Sequence, residues 1–280
     1  DLNSYPSHIG DRWVINFGTM DKEKAQEYPS CFQIVEKDVK PYRDTITKQI
    51  HEPDFWKFWD KRTEEYEKIQ GKQNVVAISL VTKHVAFAYT SADCVFSHKV
   101  QVFSYAGIEI MGVLQSSFHY HWAWKYSPRN LSMLAYSPKE CVQKFPFPKG
   151  MVKNSQNGAS SSDRYSGLFN IAKQYVDLRR RIMGKRDIGM TQLYNLSHDN
   201  SELSIELQEF RNLQIALDKT VANAYGWDDL DLGHGFHETK QGIRFTISED
   251  ARREVLQRLL KLNHERYEEE VAQGLHDKKK

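Results

Sequence analysis

The chain has 280 residues, of which 40% are hydrophobic and 12% aromatic. This composition suffices for a large core in one or two domains and excludes a disordered chain. With 39 basic and 37 acidic residues, the formal net charge is only +2. Total charge therefore does not indicate a nucleic-acid binder, and such a function depends on where the charges lie.

The apolar runs and the cysteines bear on the compartment. No apolar run is long enough to span a membrane, and no signal-like segment opens the chain. Cys31, Cys94 and Cys141 are too widely spaced for a disulfide framework or a zinc motif, which favours a reducing, cytoplasmic location. Because the chain begins at Asp1 rather than Met, we expect a piece of a longer protein.

The first 70 residues are predicted to form one strand and several helices. Alternation of Trp13, Ile15 and Phe17 predicts a strand over residues 11–18. Asp21 should cap a short helix, and a second helix is predicted over residues 30–42. Asp54 should cap a third. We interpret the aromatic residues 55–59 in it as packed against a sheet rather than available for stacking on bases.

The stretch from Val75 to Pro148 is predicted to be rich in strands. Alternating apolar residues predict Val75–Val81, Val85–Tyr89, Val95–Phe103 and Ile108–Gln115. A helix, Ser116–Tyr126, follows, and Ser137 with Glu140 has the pattern of a capping box that starts another. The Phe145–Pro148 segment should end it, because proline cannot continue a helix. Such a β platform presents its polar loops to a partner.

The composition changes after Pro148. Asn, Gly and Ser residues predict a flexible linker over residues 151–164, between a domain of residues 1–150 and one of residues 165–280. Helices are predicted at about 163–183, at about 201–225 and from 248 onward, with a loop over 227–247. The predicted fold class is α+β: a strand-rich domain with flanking helices, followed by an α-helical domain.

The sequence contains no recognisable catalytic centre. A Gly-rich nucleotide loop and an Asn-Pro-Pro-Tyr tetrapeptide are both missing. A helix would place His119 and His121 on different sides, and His237-Glu238 lacks the second histidine of a zincin motif. One alternative stays open: a nuclease or hydrolase site, whose motif is matched only at chance level. Its residues would be Asp38, Lys40, Asp54 and Asp60.

A basic run near residue 180 is the clearest positive signal. Five cations fall within eight residues: Arg179, Arg180, Arg181, Lys185 and Arg186. The run lies at the predicted end of a helix, where the helix dipole favours cations, so dipole compensation explains part of it. A polar segment with Thr191 and Asn195 follows. Because such residues suit phosphate oxygens, we favour contact with the DNA backbone over a solvated surface.

A set of short motifs extends along nearly the whole chain. In order, they are Asp11-Arg12-Trp13-Val14-Ile15, Tyr28-Pro29, Val39-Lys40-Pro41, Leu114–His119 leading to Trp122, Tyr136-Ser137-Pro138, Phe145–Pro148, Thr191–Asn195, Leu217-Asp218-Lys219 and Ala224–Trp227. In this order and spacing the set resembles the C-terminal half of adenine-specific DNA methyltransferases of the type IIG/IIL restriction–modification and phage-defence kind. The resemblance implies that the strand-rich part is a target-recognition domain and that the helical part helps to clasp the duplex.

The resemblance also implies that a methyltransferase domain lies upstream, with S-adenosylmethionine and the Asn-Pro-Pro-Tyr motif. We then expect this part to bind double-stranded DNA without methylating it, and to have no catalytic residues, metal or cofactor of its own. Loop side chains would read bases in the major groove while the upstream domain flips out the adenine. The expected contact residues are Lys83, Lys99, Gln101, Lys125, Arg129, Arg179, Arg180, Lys185, Arg186 and Thr191.

A second class of function stays open. The aromatic residues 55–59 and the helical domain could instead dock a methyltransferase or nuclease partner, as a protein-interaction module. For Lys99 and Lys125, plain solvation is at least as good an interpretation as contact with DNA.

Overall fold

The computed structural model describes residues 2–8, 10, 12–46, 54–104, 107–151 and 165–276. Short N-terminal helices come first, then two small sheets with a pair of buried helices, and finally long helices with a hairpin. The predicted α+β fold class is confirmed. Within these ranges, no helix combines the length and apolarity that crossing a membrane requires.

The N-terminal part packs around Phe32. Its helices are α1 (Lys22–Gln26), α2 (Pro29–Asp38), α3 (Lys40–Asp44) and α4 (Thr63–Ile69). Asp21 caps α1 as predicted, its Oδ1 accepting the N–H of Lys24 at 2.8 Å. Phe55 and Trp56 pack on Phe32 with ring centroids 5.8 and 6.4 Å away, and so belong to a small core.

Two predictions in this part are wrong. Residues 12–18 form no strand, and the side chain of Trp13 is fully exposed. No helix follows Asp54, since α4 begins only at Thr63. Alternation over seven residues misled the first prediction, because these apolar residues have no neighbouring strand to pair with.

Two antiparallel sheets are connected by one residue, Leu80, which lies between β1 and β2. In the first, β1 (Asn74–Ser79) lies between β3 (Ala88–Ser91) and β4 (Val100–Phe103). In the second, the order is β2 (Val81–Thr82), β6 (Met133–Ala135), β5 (Arg129–Asn130). Leu80 joins them: its N–H donates to the Lys99 carbonyl at 2.8 Å, and its own carbonyl accepts the Tyr136 N–H at 2.7 Å.

Residues predicted as the fourth strand form a helix, α5 (Ile108–Gln115), followed by α6 (Ser117–Tyr126) and a single π-helical turn, α7 (Lys139–Gln143). Nearly all of α5 is buried, so an apolar residue occupies almost every position and the spacing alone cannot distinguish helix from strand. A Cβ at Gly112 would lie 2.9 Å from the Cβ of Ala172. Glycine there permits close packing of α5 against the next long helix.

The C-terminal part contains α8 (Ser166–Arg186), α9 (Met190–Ser197), α10 (Ile205–Tyr225) and α11 (Glu249–Ala272), with a hairpin of β7 (Gly235–Thr239) and β8 (Gly242–Thr246). The three long helices were predicted. Helix α9 was predicted as a polar segment after the basic run, and the hairpin as a loop.

A single core extends across the predicted domain boundary, from Val76 to Leu259. Asp218 of α10 reinforces the junction: its carboxylate accepts bonds from the N–H and Oγ of Ser117, at 2.7 and 2.6 Å, and from His234 Nε2 at 2.8 Å. Of the predicted linker, Met151 is buried in this core, and residues 152–164 lie outside the described residues. The division into two domains stays a prediction.

The loop before β4 is held by one arginine. Arg62 donates to the carbonyls of Phe96, Ser97 and Val100, at 3.2, 2.7 and 2.9 Å. Its guanidinium also pairs with Glu65. This loop carries Lys99.

Candidate nucleic-acid interface

Lys83 lies where β2 ends and faces α9. Its Nζ donates to Asn195 Oδ1 at 2.7 Å, and the same oxygen accepts a hydrogen bond from His84 Nε2 at 3.0 Å. Thr191 lies one helical turn before Asn195, so α9 presents both on one face. The structure thus brings together two predicted contact residues, Lys83 and Thr191, and adds Asn195.

Two histidines behind Lys83 are held neutral. Burial lowers the pKa of His84 to about 4, although its bond to Asn195 opposes the shift. Burial also lowers the pKa of His198 well below its usual value, and His84 and Arg244 add to the effect. The two rings lie 5.5 Å apart, and His198 Nδ1 accepts the N–H of Phe245 at 3.2 Å. The two rings pack behind Lys83 and Asn195 and add no positive charge there at neutral pH.

The hairpin of β5 and β6, residues 129–135, extends the same sheet. Thr82 pairs with Leu134, so Lys83 comes next to the start of β6, beside the two-residue loop Leu131-Ser132. The base of the hairpin is fixed, because Ala135 N–H donates to Pro128 O at 3.0 Å and Ser137 N–H donates to Ser127 Oγ at 3.1 Å. Arg129 is exposed on the edge strand.

We call this region the Lys83 surface; it comprises Lys83, Arg129–Ser132, Thr191, Asn195 and Arg244. None of its three cations forms an ion pair with an acidic residue of the described ranges. A cation whose protein partners are neutral keeps its charge available to an anion such as phosphate.

Lys99 and Gln101 belong to the segment that pairs with the end of β1, a few residues before Lys83. Lys99 is exposed just before β4, and its carbonyl accepts the N–H of Leu80, three residues before Lys83. Gln101 is half-buried in β4, where its amide donates to Val102 O at 2.9 Å. Lys125, exposed at the end of α6, has its Nζ 5.6 Å from the ring centre of Tyr126.

The start of the basic run is structural, which corrects the prediction for Arg179. The Arg179 side chain is fully buried, and its Nη2 donates to Phe87 O at 2.7 Å. Its Nη1 contacts Tyr194 Oη at 3.3 Å. Partly buried Arg180 donates to the carbonyl of Tyr89. Arg179 therefore ties the residue just before β3 to α8, and it is not available to DNA.

The rest of the run is paired with the start of α10. Lys185 and Arg186 reach Glu206 at 2.6 and 2.7 Å, and Arg186 also reaches Glu202 at 3.1 Å. Ser204 and Arg186 together lower the pKa of Glu202 to about 2, so it stays ionised. Arg181 pairs with Glu209 at 3.1 Å. A phosphate would have to compete with these carboxylates.

The acidic residues of the alternative nuclease site are not gathered around a metal-sized space. Asp54 pairs with Lys57 at 2.7 Å, and Asp60 accepts the N–H of Arg62 at 3.0 Å. In the described part of the chain, no three His, Cys, Asp or Glu side chains are grouped as metal ligands. His119 bonds Tyr136 Oη at 2.9 Å and His121 bonds Thr246 Oγ1 at 3.2 Å, so each has its own packing partner.

A cavity of about 40 Å³ lies behind the Lys83 surface, lined by His84, Tyr194, His198 and Arg244 among others. This volume admits a few water molecules at most and not a nucleobase. The region can therefore contact a duplex from outside, but it offers no pocket for an extruded base.

Two residues of this surface were not among the contacts expected from the sequence, Asn195 and Arg244. Asn195 was noted in the polar segment after the basic run, but the helix that aligns it with Thr191 was not predicted. Arg244 was hidden in a predicted loop. Its strand signal was available, since Phe236-His237-Glu238-Thr239 and Gly242-Ile243-Arg244-Phe245 flank a two-residue turn.

Two comparisons with known proteins match this chain, one over its strand-rich part and one over most of its length. The family described as "MmeI, target recognition domain" matches residues 8–149, slightly more than half of the chain. No curated protein matches. A similar solved structure is titled "Structure of Type IIL restriction-modification enzyme MmeI in complex with DNA has implications for engineering of new specificities". It shares 14% sequence identity with a TM-score of 0.57, over 90% of this chain and 28% of that one.

These comparisons put the strand-rich part in the class of target-recognition domains, which confirms the resemblance seen in the sequence. The chain belongs to the MmeI target recognition domain family. The structural likeness covers both parts of the chain and shows that they share the fold of the corresponding region, which is a little over a quarter of the larger protein.

Proposed function

We propose that the chain binds double-stranded DNA in a sequence-specific way, as the target-recognition part of a restriction–modification enzyme. Membership of the target-recognition family is the observation that carries this proposal. The likeness to a protein solved with DNA supports it. The Lys83 surface supplies the chemistry, because its three cations are free of acidic partners among the described residues.

The division of labour follows from the two kinds of contact that DNA requires. Lys83, Arg129 and Arg244 are suited to phosphates, which position the duplex. Polar groups between them, such as Asn130 and Asn195, are suited to the edges of base pairs in the major groove.

The catalytic role belongs to the proposal as well. We propose that the intact protein methylates adenine at N6 with S-adenosylmethionine bound in an upstream domain, and that it acts in the cytoplasm in defence against phage. Incubating the intact protein with duplex and labelled S-adenosylmethionine tests this step. Label recovered as N6-methyladenine is the expected result, and label on cytosine or none would contradict it.

Salt dependence tests the DNA-binding proposal. Removing one cation that binds a phosphate should reduce the slope of log affinity against log salt by about 0.9. Replacing Lys83, Arg129 and Arg244 together by Ala should therefore reduce the slope by about 2–3 and weaken binding to all sequences.

The matched control removes three paired cations, Lys173, Arg181 and Lys185, and so makes the same change in net charge. The slope should change far less. Equal slopes for the two triple variants would contradict the assignment of the contacts, and absence of binding to any duplex at low salt would contradict the function.

The alternative of a protein-docking module has one observation in its favour. Trp13 is fully exposed and Val14 half exposed, and they line a groove of about 760 Å³ together with Cys94 and Phe96. Replacing Trp13 by Ser should leave DNA affinity unchanged under the main proposal. Under the alternative, the same change would release a bound methyltransferase or nuclease domain in a pulldown.

A further inference from the structure

Leu131 is the most unusual residue of the Lys83 surface. It is the first residue of the β5–β6 loop, its side chain is 95% exposed, and its φ is +55°. A two-residue hairpin loop with positive φ at this position ordinarily has glycine. A bulky residue there is both strained and exposed to water, and such outliers point to function when the surroundings hold them in place.

Neighbouring residues hold the β5–β6 hairpin, which carries Leu131 at its tip, in place. The hairpin pairs with β2 through Val81 and Thr82, and Ser127 and Pro128 fix its base. The tip is therefore presented rigidly rather than as a loose loop. It is flanked by polar groups, with exposed Arg129 and Asn130 on one side and Ser132 on the other.

The dimensions decide which part of a duplex this tip can meet. A two-stranded ribbon fits the major groove, about 12 Å wide, and not the minor groove, about 6 Å wide. In the major groove of unmodified DNA, the apolar feature is the C5-methyl group of thymine. The same group is found on 5-methylcytosine.

We propose that Leu131 reads a C5-methyl group on a pyrimidine, in the first instance thymine, at one position of the recognised sequence. This inference rests on the proposed function and adds to it a specificity-determining residue with a defined chemical target. Arg129 holds the neighbouring phosphate, and Leu131 covers the methyl group and removes it from water.

The test begins with selection of a preferred sequence from a pool of random duplexes. Each thymine of that sequence is then replaced by deoxyuridine, which differs only in lacking the methyl group. At one position the replacement should weaken binding about four-fold, the value of burying one methyl group. The variant Leu131→Gly, which keeps the turn conformation, should bind the thymine and deoxyuridine duplexes equally.

Leu275→Ala is the matched control, since it removes another exposed leucine, 67% exposed, in the turn that follows α11. It should keep the four-fold discrimination. Replacing each cytosine by 5-methylcytosine is a separate arm: tighter binding at one position, again abolished in Leu131→Gly, would identify methylated cytosine as the source of the methyl group.

Two outcomes overturn the inference. The selected sequence could show no dependence on any pyrimidine methyl group, or the dependence could persist in Leu131→Gly. In both cases the protein still selects a sequence, so the proposed function stands. If the pool yields no preferred sequence, the proposed function fails and the inference fails with it.

Discussion

The basic run at the end of α8 and the Lys83 surface are two groups of cations with opposite surroundings. In the run, Arg179 is buried, and Lys185 and Arg186 are both paired with Glu206 of α10. On the Lys83 surface, the cations form no ion pair with an acidic residue within the described ranges, and they come from three separate stretches of sequence. The density of basic residues in the chain is thus a poor guide to the positive charge offered to a partner.

Removing Arg179 should have a strong effect on stability. Arg179→Ala should lower the free energy of unfolding by about 3–5 kcal/mol, because it leaves a cavity and leaves the Phe87 carbonyl without its donor. Urea denaturation measures the decrease. Exposed Arg181→Ala should change stability by less than about 0.5 kcal/mol. A stable Arg179→Ala variant with weakened DNA binding would show that this arginine contacts DNA after all.

Acid should affect both regions, since buried histidines stand beside cations in each. Burial lowers the pKa of His8, near Arg179, to about 3, and those of His119 and His121 to about 3, in addition to the shift of His84 to about 4. The unfolded chain binds these protons near pH 6.5, and the folded chain binds them only near pH 3–4. Stability should therefore fall as the pH drops below about 6.5.

Each such histidine contributes a slope of about 1.4 kcal/mol per pH unit in that window. Urea denaturation between pH 7 and pH 5 measures the summed slope of the free energy of unfolding against pH. His121→Gln should reduce this slope by about 1.4 kcal/mol per pH unit. The exposed His98→Gln is the matched control. Stability that is flat from pH 7 to pH 5 would be incompatible with neutral buried histidines.

Arg186 and Lys83, one from each group of cations, should respond in opposite ways to replacement by Ala. Arg186→Ala breaks pairs with Glu202 and Glu206 and should cost about 1 kcal/mol of stability, with no decrease in DNA affinity. Lys83→Ala should do the reverse, weakening DNA binding while stability stays within about 0.5 kcal/mol. Unfolding midpoints give the change in stability of each variant, and binding isotherms give the change in its DNA affinity. Weaker DNA binding by Arg186→Ala would return the basic run to the interface.

Sequence patterns identified the long helices well, because α8, α10 and α11 have apolar stripes at helical spacing and a polar remainder. They failed for α5, which is buried nearly all round and so has no polar face to reveal its period. The same reasoning gave Lys83 and Thr191 as candidates but could not bring them to one surface. The link is the bond from Lys83 to Asn195, and 112 positions separate these two residues in the sequence. The partners of Arg179 and Arg186 depend on tertiary packing that spacing alone does not encode.

The loop before β4 has a further consequence. Arg62 holds it through main-chain oxygens of Phe96, Ser97 and Val100, which any residue would provide. Phe96 and Val100 also pack against the small core of Ile69, Val75 and Val102, so their side chains are constrained. The exposed side chains of residues 97–99 lie between these two anchors and can be exchanged without loss of the main-chain bonds that fix the course of the loop.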